Sequence, residues 1–311
     1  MARRRIGQEQ LWGERATRPG GASVDEVAAL VDWVELDQVL AGISASAKGE
    51  PGWPPLALFR ALLLATWYDL SDVRLAEAVD DRASFRRFCG FSTHEPTPER
   101  TAFVRFRGEL VRLQLDRALF AAVTRQLDRR GVVVRTGTLV DATLIPAAST
   151  HDDEARWAGH RRRKPVHGYK AHVATDQEAG LIRGVEVTTA NAHDASELEA
   201  ILPEAPGDTY GDSAYQGDRP EGIIRARGGK PRVVYTGGFG GETAAERLRA
   251  HNAEVRRVRC RIEKVFGTAK RSYGLRRMRW LGLAKAGLQV RLAAVAYNLR
   301  RSLGLLAAVA A

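Results

Sequence analysis

At Gly131 the texture of the chain changes, and that change restricts the fold more than any other feature. Upstream, VDEVAALVDWVELDQVLAGI, PLALFRALLLATWYDL, SDVRLAEAVDDRASFRRFCGF and TPERTAFVRFRGELVRLQLDRALFAAVTRQLDRRG read as helix after helix. The segment KGEPGWPP at 48–55 interrupts them with three prolines and two glycines. Ser23, with Glu26 three residues on, has the spacing of a capping box, and Ser71 and Thr97 are expected as further caps. Downstream, VVVRTGTLVDATLIPA is β-rich, and GYKAHVATDQEAGLIRGVEVTTA reads as two strands joined by a turn at 176–180. A helix DASELEAILPE follows, with Asp194 and Glu197 at capping-box spacing. Then come strands in DTYGD and PRVVYTG, a long helix over 242–273 broken at most once, and a last helix from about residue 287. The order β-β-β-α-β-α-β-α predicts an α/β mixed sheet flanked by helices over 131–311. A small all-α domain over 25–130 and a basic arm over 1–24 are expected ahead of it.

The charge balance narrows the partner. A net charge of +11 and a pI near 10.1 favour a polyanion, with nucleic acid the commonest; a solvated basic surface is the plainer alternative. Cys89 and Cys260 are far apart and show no metal or redox spacing, so neither a disulfide framework nor a zinc site is expected. The basic N-terminus has no apolar run behind it, and no stretch reaches the length of a membrane span. The expectation is a cytoplasmic, nucleoid-associated protein with no membrane contact. GGFGG at 237–241 lacks the Lys and helix start of a phosphate loop, so no nucleotide cofactor is expected.

Three acids stand out. Asp141 lies inside an apolar strand, where alternation puts Leu139, Asp141, Thr143 and Ile145 on one face. Burying an unpaired carboxylate there costs several kcal/mol, so Asp141 needs a metal, an Arg or a backbone amide. Asp212 sits in YGDSAYQG, where a strand runs out into a turn; it is either a ligand position at a strand end or the cap of the next helix. Glu263 falls on a helical stripe with Arg256, Arg259 and Lys270, beside an apolar arc of Val255, Val258, Ile262, Val265, Phe266 and Ala269. It either points from the rim of the core into a site or pairs with Arg259 on an exposed face. Carboxylates from two strands and a packed helix can converge on two divalent ions, roughly 4 Å apart, the arrangement that stabilises attacking and leaving oxygens in phosphoryl transfer. Oxygen-only ligands suit Mg²⁺.

At these residues the sequence resembles the bacterial insertion-sequence transposases of the DDE type, from about Gly52 to Arg301. LVDATLI, HGYKAHVATD, TTANAHDASEL, YGDSAYQG and RIEKVFGTAKRSYGLRRMRWLG are similar to that family's signature blocks and occur in its order. ALFRALLLATWYDLSDVRLAEAVDDRASFRRFCGF with PTPERTAFVRFRGEL resembles its helical region. The resemblance implies an RNase H-like catalytic core, Mg²⁺ or Mn²⁺ at two ions per site, and double-stranded DNA as substrate, cut at terminal inverted repeats and joined to a target. It also implies a homodimer on DNA. Asp141, Asp212 and Glu263 match the three acids, and Arg259, Glu263 and Lys270 fit a Tyr-x2-Arg-x3-Glu-x6-Lys signature in which Arg256 replaces the Tyr. Only 50 residues separate Asp212 from Glu263, too few for the β-insertion that some relatives use in forming hairpins.

Other residues carry two readings each. Arg161, Arg162, Arg163 and Lys164 are expected to contact phosphate, or else form a solvated loop, and Lys170, Arg276 and Arg277 are added to the DNA-binding set. Asp152, Asp153 and Glu154 read as a solvated run. Trp157 either stacks on an unpaired base or packs on its own domain. The rival functions are an RNase H-like nuclease that cuts without joining, and a transposase derivative that only binds DNA.

Overall fold

The computed structural model describes residues 22–43, 51–132, 136–160, 163–237 and 241–310. The expected basic arm lies almost wholly outside them. Contacts divide the chain into two compact units, Met1–Arg130 with Arg291–Ala311, and Gly131–Val290.

The first unit is helical: α1 (Ala22–Leu30), α2 (Trp33–Leu40), α3 (Pro55–Trp67), α4 (Asp72–Asp81), α5 (Ala83–Cys89), α6 (Arg100–Arg112), α7 (Leu115–Arg129) and the part of α12 (Leu283–Ala310) from Arg291 onward. Ten of the thirteen residues of α3 are buried, as a helix apolar on every side must be. Buried charge is paired: Arg291 donates to Asp116 at 2.7 Å, and Arg107 makes a bidentate pair with Asp72 at 2.6 Å on each arm. Three expectations are corrected. The helix foreseen over 24–43 is two, because Asp32 turns extended and accepts from the amides of Val34 and Glu35, starting a new helix. Ser23 lies inside α1 and does not open it. Thr97 does not cap α6, whose N-cap position is Glu99; its hydroxyl donates to Asp80 at 2.9 Å. Ser71 does cap α4, accepting from Arg74.

The second unit is built on β1 (Gly137–Pro146), β2 (Arg156–His160), β3 (Arg163–Asp176), β4 (Ile182–Thr189), β5 (Asp208–Gly211) and β6 (Lys230–Val233). The sheet runs β4-β3-β1-β5-β6, with β2 added to the first part of the long β3. β1 is antiparallel to β3 and parallel to β5, and β5 is parallel to β6, so the sheet is mixed as expected. On one face, α8 (Leu198–Ile201) and α9 (Asp218–Ala226) close a core of Val140, Ala174, Leu198, Ile201, Leu202, Ile224 and Val233. α8 lies so close to β4 that a Cβ at Gly184 would collide with the Ile201 carbonyl, so this position must be glycine. On the other face, α10 (Glu242–Arg259) and α11 (Arg261–Ser272) bring Val255 and Ile262 against Leu139, Tyr210 and Val234. The long helix over 242–273 therefore exists and breaks once, at Cys260.

Candidate active site

The strand register builds the centre of the site. β1 and β5 pair in parallel with Leu139 beside Tyr210, so two residues further on Asp141 falls beside Asp212, just past the end of β5. Parallel neighbours lie about 4.8 Å apart, which makes these two carboxylates close like charges, Asp141 midway along β1 and Asp212 just past the carboxyl end of β5. Asp212 also caps the 3-10 turn Ser213–Tyr215, its Oδ1 accepting from the Ala214 amide at 2.9 Å. The cap reading of Asp212 is borne out, and the cap uses one of its two oxygens. Gly211 allows the turn: a Cβ there would stand 2.9 Å from the Tyr215 ring, which is wholly buried beneath the site.

Asp141 is paired in two ways. Its Oδ2 accepts from Arg259 Nη1 at 2.6 Å across to the end of α10, and its Oδ1 accepts from the Ala142 amide at 2.9 Å. Only 14% of its side chain and 21% of that of Arg259 reach solvent, so this is a largely desolvated ion pair. Burial pushes the Asp141 carboxyl up to about 6, against the pull of Arg259 and the amide, and the charges of Asp212 and Asp194 push the same way.

Glu263 is placed differently. It sits in the first turn of α11, one turn past Arg259, and its side chain is exposed. Its helix behaves as the apolar arc requires, with Val255, Ile262, Val265 and Ala269 buried and Val258 and Phe266 partly so. Among the described residues no group of three or more acidic, His or Cys side chains is gathered as a metal cage. Asp141 and Asp212 nevertheless form a donor set that suits a hard divalent cation, because Mg²⁺ commonly takes one or two carboxylates and completes its shell with water and substrate phosphate.

The cations foreseen around the acids fall into distinct settings. Lys270, half-buried on α11, donates to the Leu144 carbonyl of β1 at 2.8 Å, and Arg256 is exposed on α10. Arg277 donates to the carbonyls of Ala147 and Ala148, just past β1, while Arg276 is exposed. Lys164 is exposed on β3; Arg163 is placed by its strand alone, and Arg161 and Arg162 lie outside the described residues. Lys170 reaches the other face of the sheet, donating to Asp194 at 2.6 Å and to the Ala192 carbonyl at 2.5 Å. Asp194 is therefore an ion-pair partner and not the helix cap its spacing suggested. His193 caps the 3-10 turn Asp194–Glu197 instead, accepting from the Ala195 amide at 3.3 Å. The acidic run at 152–154 is also corrected in part. Asp152 is buried, accepting from the Tyr169 hydroxyl at 2.8 Å and from the Gly282 amide at 3.2 Å, and Glu154 accepts from Leu283. These two carboxylates hold the N-terminus of α12, where anions are favoured.

Sequence reading missed Asp194 and Tyr215 as neighbours of the acidic pair. Asp194, Asp141 and Asp212 all act on the Tyr215 hydroxyl, whose pKa is raised first by burial and then by these charges, so it stays a neutral phenol. The available signal was the short interval between the block holding Asp194 and the one holding Asp212.

An acidic pair on adjacent parallel strands, in a mixed six-stranded sheet with helices on both faces, is the arrangement of an RNase H-like fold. Residues 134–299 match the family described as Transposase DDE domain, and residues 14–109 match that described as Transposase domain (DUF772). The chain belongs to the DDE transposases of the insertion-sequence type, and its function class is DNA transposition. No solved structure matches it. No helix among the described residues is long and apolar enough to cross a membrane.

Proposed function

We propose that this chain cuts DNA at the terminal inverted repeats of its own element and joins the freed 3′ ends to target DNA. The observation that carries the reading is the β1–β5 register, which sets Asp141 beside Asp212 within a matched transposase domain. Asp141, Asp212 and Glu263 are assigned as the acids that would hold two Mg²⁺ or Mn²⁺ ions. Such ions, when bound, supply Lewis-acid stabilisation of the attacking and leaving oxygens.

The protein's own groups do the rest. Arg259 keeps Asp141 neutralised until DNA arrives. A scissile-strand phosphate then competes for the guanidinium, which frees the carboxylate for its cation and turns Arg259 into a phosphate grip. Lys270, about two turns beyond Glu263 on the helix edge, steadies the same strand. Arg256, Lys164, Arg161, Arg162, Arg163, Arg276 and Arg277 extend the contact along the duplex. The helical domain and basic arm read the repeats and pair two protomers on double-stranded DNA.

The test is a Mg²⁺- or Mn²⁺-dependent assay on labelled DNA carrying the gene's flanking ends, with wild type and Glu263→Gln side by side. Nicks at the repeat boundary and joined products, both lost in the variant, are expected. Cleavage without joining would replace the reading with a nuclease, and binding without cleavage would replace it with a DNA-binding derivative.

A further inference from the structure

The β2–β3 hairpin has no role in the acidic site, yet it carries the largest exposed aromatic surface among the described residues. Trp157 on β2 is 62% exposed. An indole so open to water on a regular strand is an unused apolar surface, and strand aromatics normally pack. It is also held in place. The register sets Trp157 opposite His167 of β3, and the two rings stand 5.2 Å apart, tilted by 42°. The hairpin extends past the main sheet: the last residue of β3 paired with β1 is Gly168, opposite Pro146, and β3 continues from there back to Arg163 with β2 alone.

Its charge is one-sided. Between Glu154 and Asp176 the sequence holds no acidic residue, while Arg156 and Lys164 are both exposed on the hairpin strands. Arg156 donates to the carbonyls of Asp153 and Ala155, which anchors the guanidinium without neutralising it. Arg156, next along β2, alternates to the face opposite Trp157, so the hairpin presents an open indole on one face and basic charge without a carboxylate partner around it, which complements a strand whose bases are open on one face. Paired bases, stacked on both faces, offer no such surface to a single indole.

We propose that this hairpin is a docking arm for unpaired DNA, with Trp157 stacking on a base and the basic charge of the hairpin drawing the phosphates of that strand. The proposal rests on the DNA reading given above and adds the state of the DNA that the arm recognises. Position follows from the register. Val173 of β3 is opposite Asp141 and His167 is opposite Trp157, six residues apart along one strand. At roughly 3.4 Å per residue the indole stands about 20 Å from the acidic pair. At about 3.4 Å per nucleotide, that places the stacked base about six nucleotides from the cut.

The experiment compares element-end duplexes that are fully paired with ones unpaired over about four nucleotides around that position, using the full chain and fluorescence anisotropy. Wild type is expected to bind the unpaired duplex about tenfold more tightly, the scale of one base-aromatic stack. Trp157→Ala should abolish that preference and Trp157→Phe should retain most of it. Lys164→Gln should weaken both duplexes alike and lower the salt dependence by about one phosphate contact. A Trp157→Ala protein that keeps the preference overturns the proposal, as does a wild type that binds both duplexes equally. A wild type that binds neither overturns the DNA reading itself.

Discussion

Asp141 and Asp212 are carried by neighbouring strands, whereas Glu263 rides on a helix, and the two supports fix a side chain with different rigour. On the strands, pairing dictates that the two carboxylates stand side by side, and nothing short of a register slip separates them. On α11 the apolar arc anchors the helix to the sheet, but the edge that carries Glu263 faces solvent, and rotation of the helix within that packing is resisted by side-chain contacts alone. The strand pair is preorganised, and burial there raises the carboxyl of Asp141, with the charge of Asp212 adding to it. The helical acid is exposed and, among the described residues, is not gathered with the pair. On the assignment proposed for the three acids, this divides the site into a permanent half and a half that has to be completed.

The largest expected effect tests that division. Asp141→Asn, Asp212→Asn and Glu263→Gln should each lower DNA cleavage by about a thousandfold or more, since electrostatic groups acting on the transition state have effects of that scale. Without DNA the three should part company. Calorimetric titration with Mn²⁺ should show affinity falling about tenfold in either aspartate variant, a loss of about 1.4 kcal/mol, and unchanged in Glu263→Gln. An equal loss in all three would mean that the helical acid already belongs to the resting site, and the comparison would fail.

A second prediction concerns the contact between the two halves. Arg259→Met leaves Asp141 buried beside Asp212 without its cation, at a cost of about 2 kcal/mol, less than for a fully buried pair because both side chains keep some solvent. Urea denaturation at pH 8 should show it. Near pH 4, where Asp141 is protonated, most of the loss should vanish. A loss that persists at pH 4 would assign Arg259 a packing role.

How much of this was legible in the sequence follows the same line. Strand-borne features could be read because alternation and turn residues are local: LVDATLI and DTYGD named β1 and β5 and their acids. The apolar arc of 255–269 was equally readable, since helical period is a local property. What depended on a partner distant in sequence was not. Lys170 lies in a block that reads as basic, yet its amine meets Asp194 twenty-four residues away, and spacing alone made Asp194 a cap. Asp152 looked solvated because its run is acidic; its burial is decided by the Tyr169 hydroxyl and the Gly282 amide. Helix breaks at Asp32 and Gln114 were hidden in unbroken apolar patterns, the first by a side-chain cap and the second by a left-handed backbone at φ 52°.

A third, smaller effect lies on the opposite face of the sheet. Lys170→Met should cost about 1–2 kcal/mol, because it leaves Asp194 without its cation and the Ala192 carbonyl without its donor. The 3-10 turn Asp194–Glu197 packs against the turn that Asp212 opens, so cleavage should fall severalfold along with stability. Duplex affinity should change by less than about twofold, since an amine already held by a carboxylate adds little to phosphate binding. A large loss of affinity with normal stability would return Lys170 to the set of direct DNA contacts.

The last prediction is the pH dependence of the permanent half. The Asp141 carboxyl is raised from 3.8 to about 6 in the folded chain. Below about pH 4 the group is protonated whether the chain is folded or not, and its burial carries no charge penalty. Between about 4 and 6 the folded protein holds a proton that the unfolded chain has released, so this group's contribution to stability falls as pH rises; above about 6 that contribution is gone. In metal-free buffer, Asp141→Asn should therefore gain on wild type as pH rises from 4 to 7. The gain is on the order of 1–2 kcal/mol once the lost Arg259 contact is counted. Melting temperatures of the two proteins across that range measure what it costs to bury the Asp141 carboxylate beside Asp212 before DNA or metal arrives, and parallel curves would show that its burial carries no charge penalty.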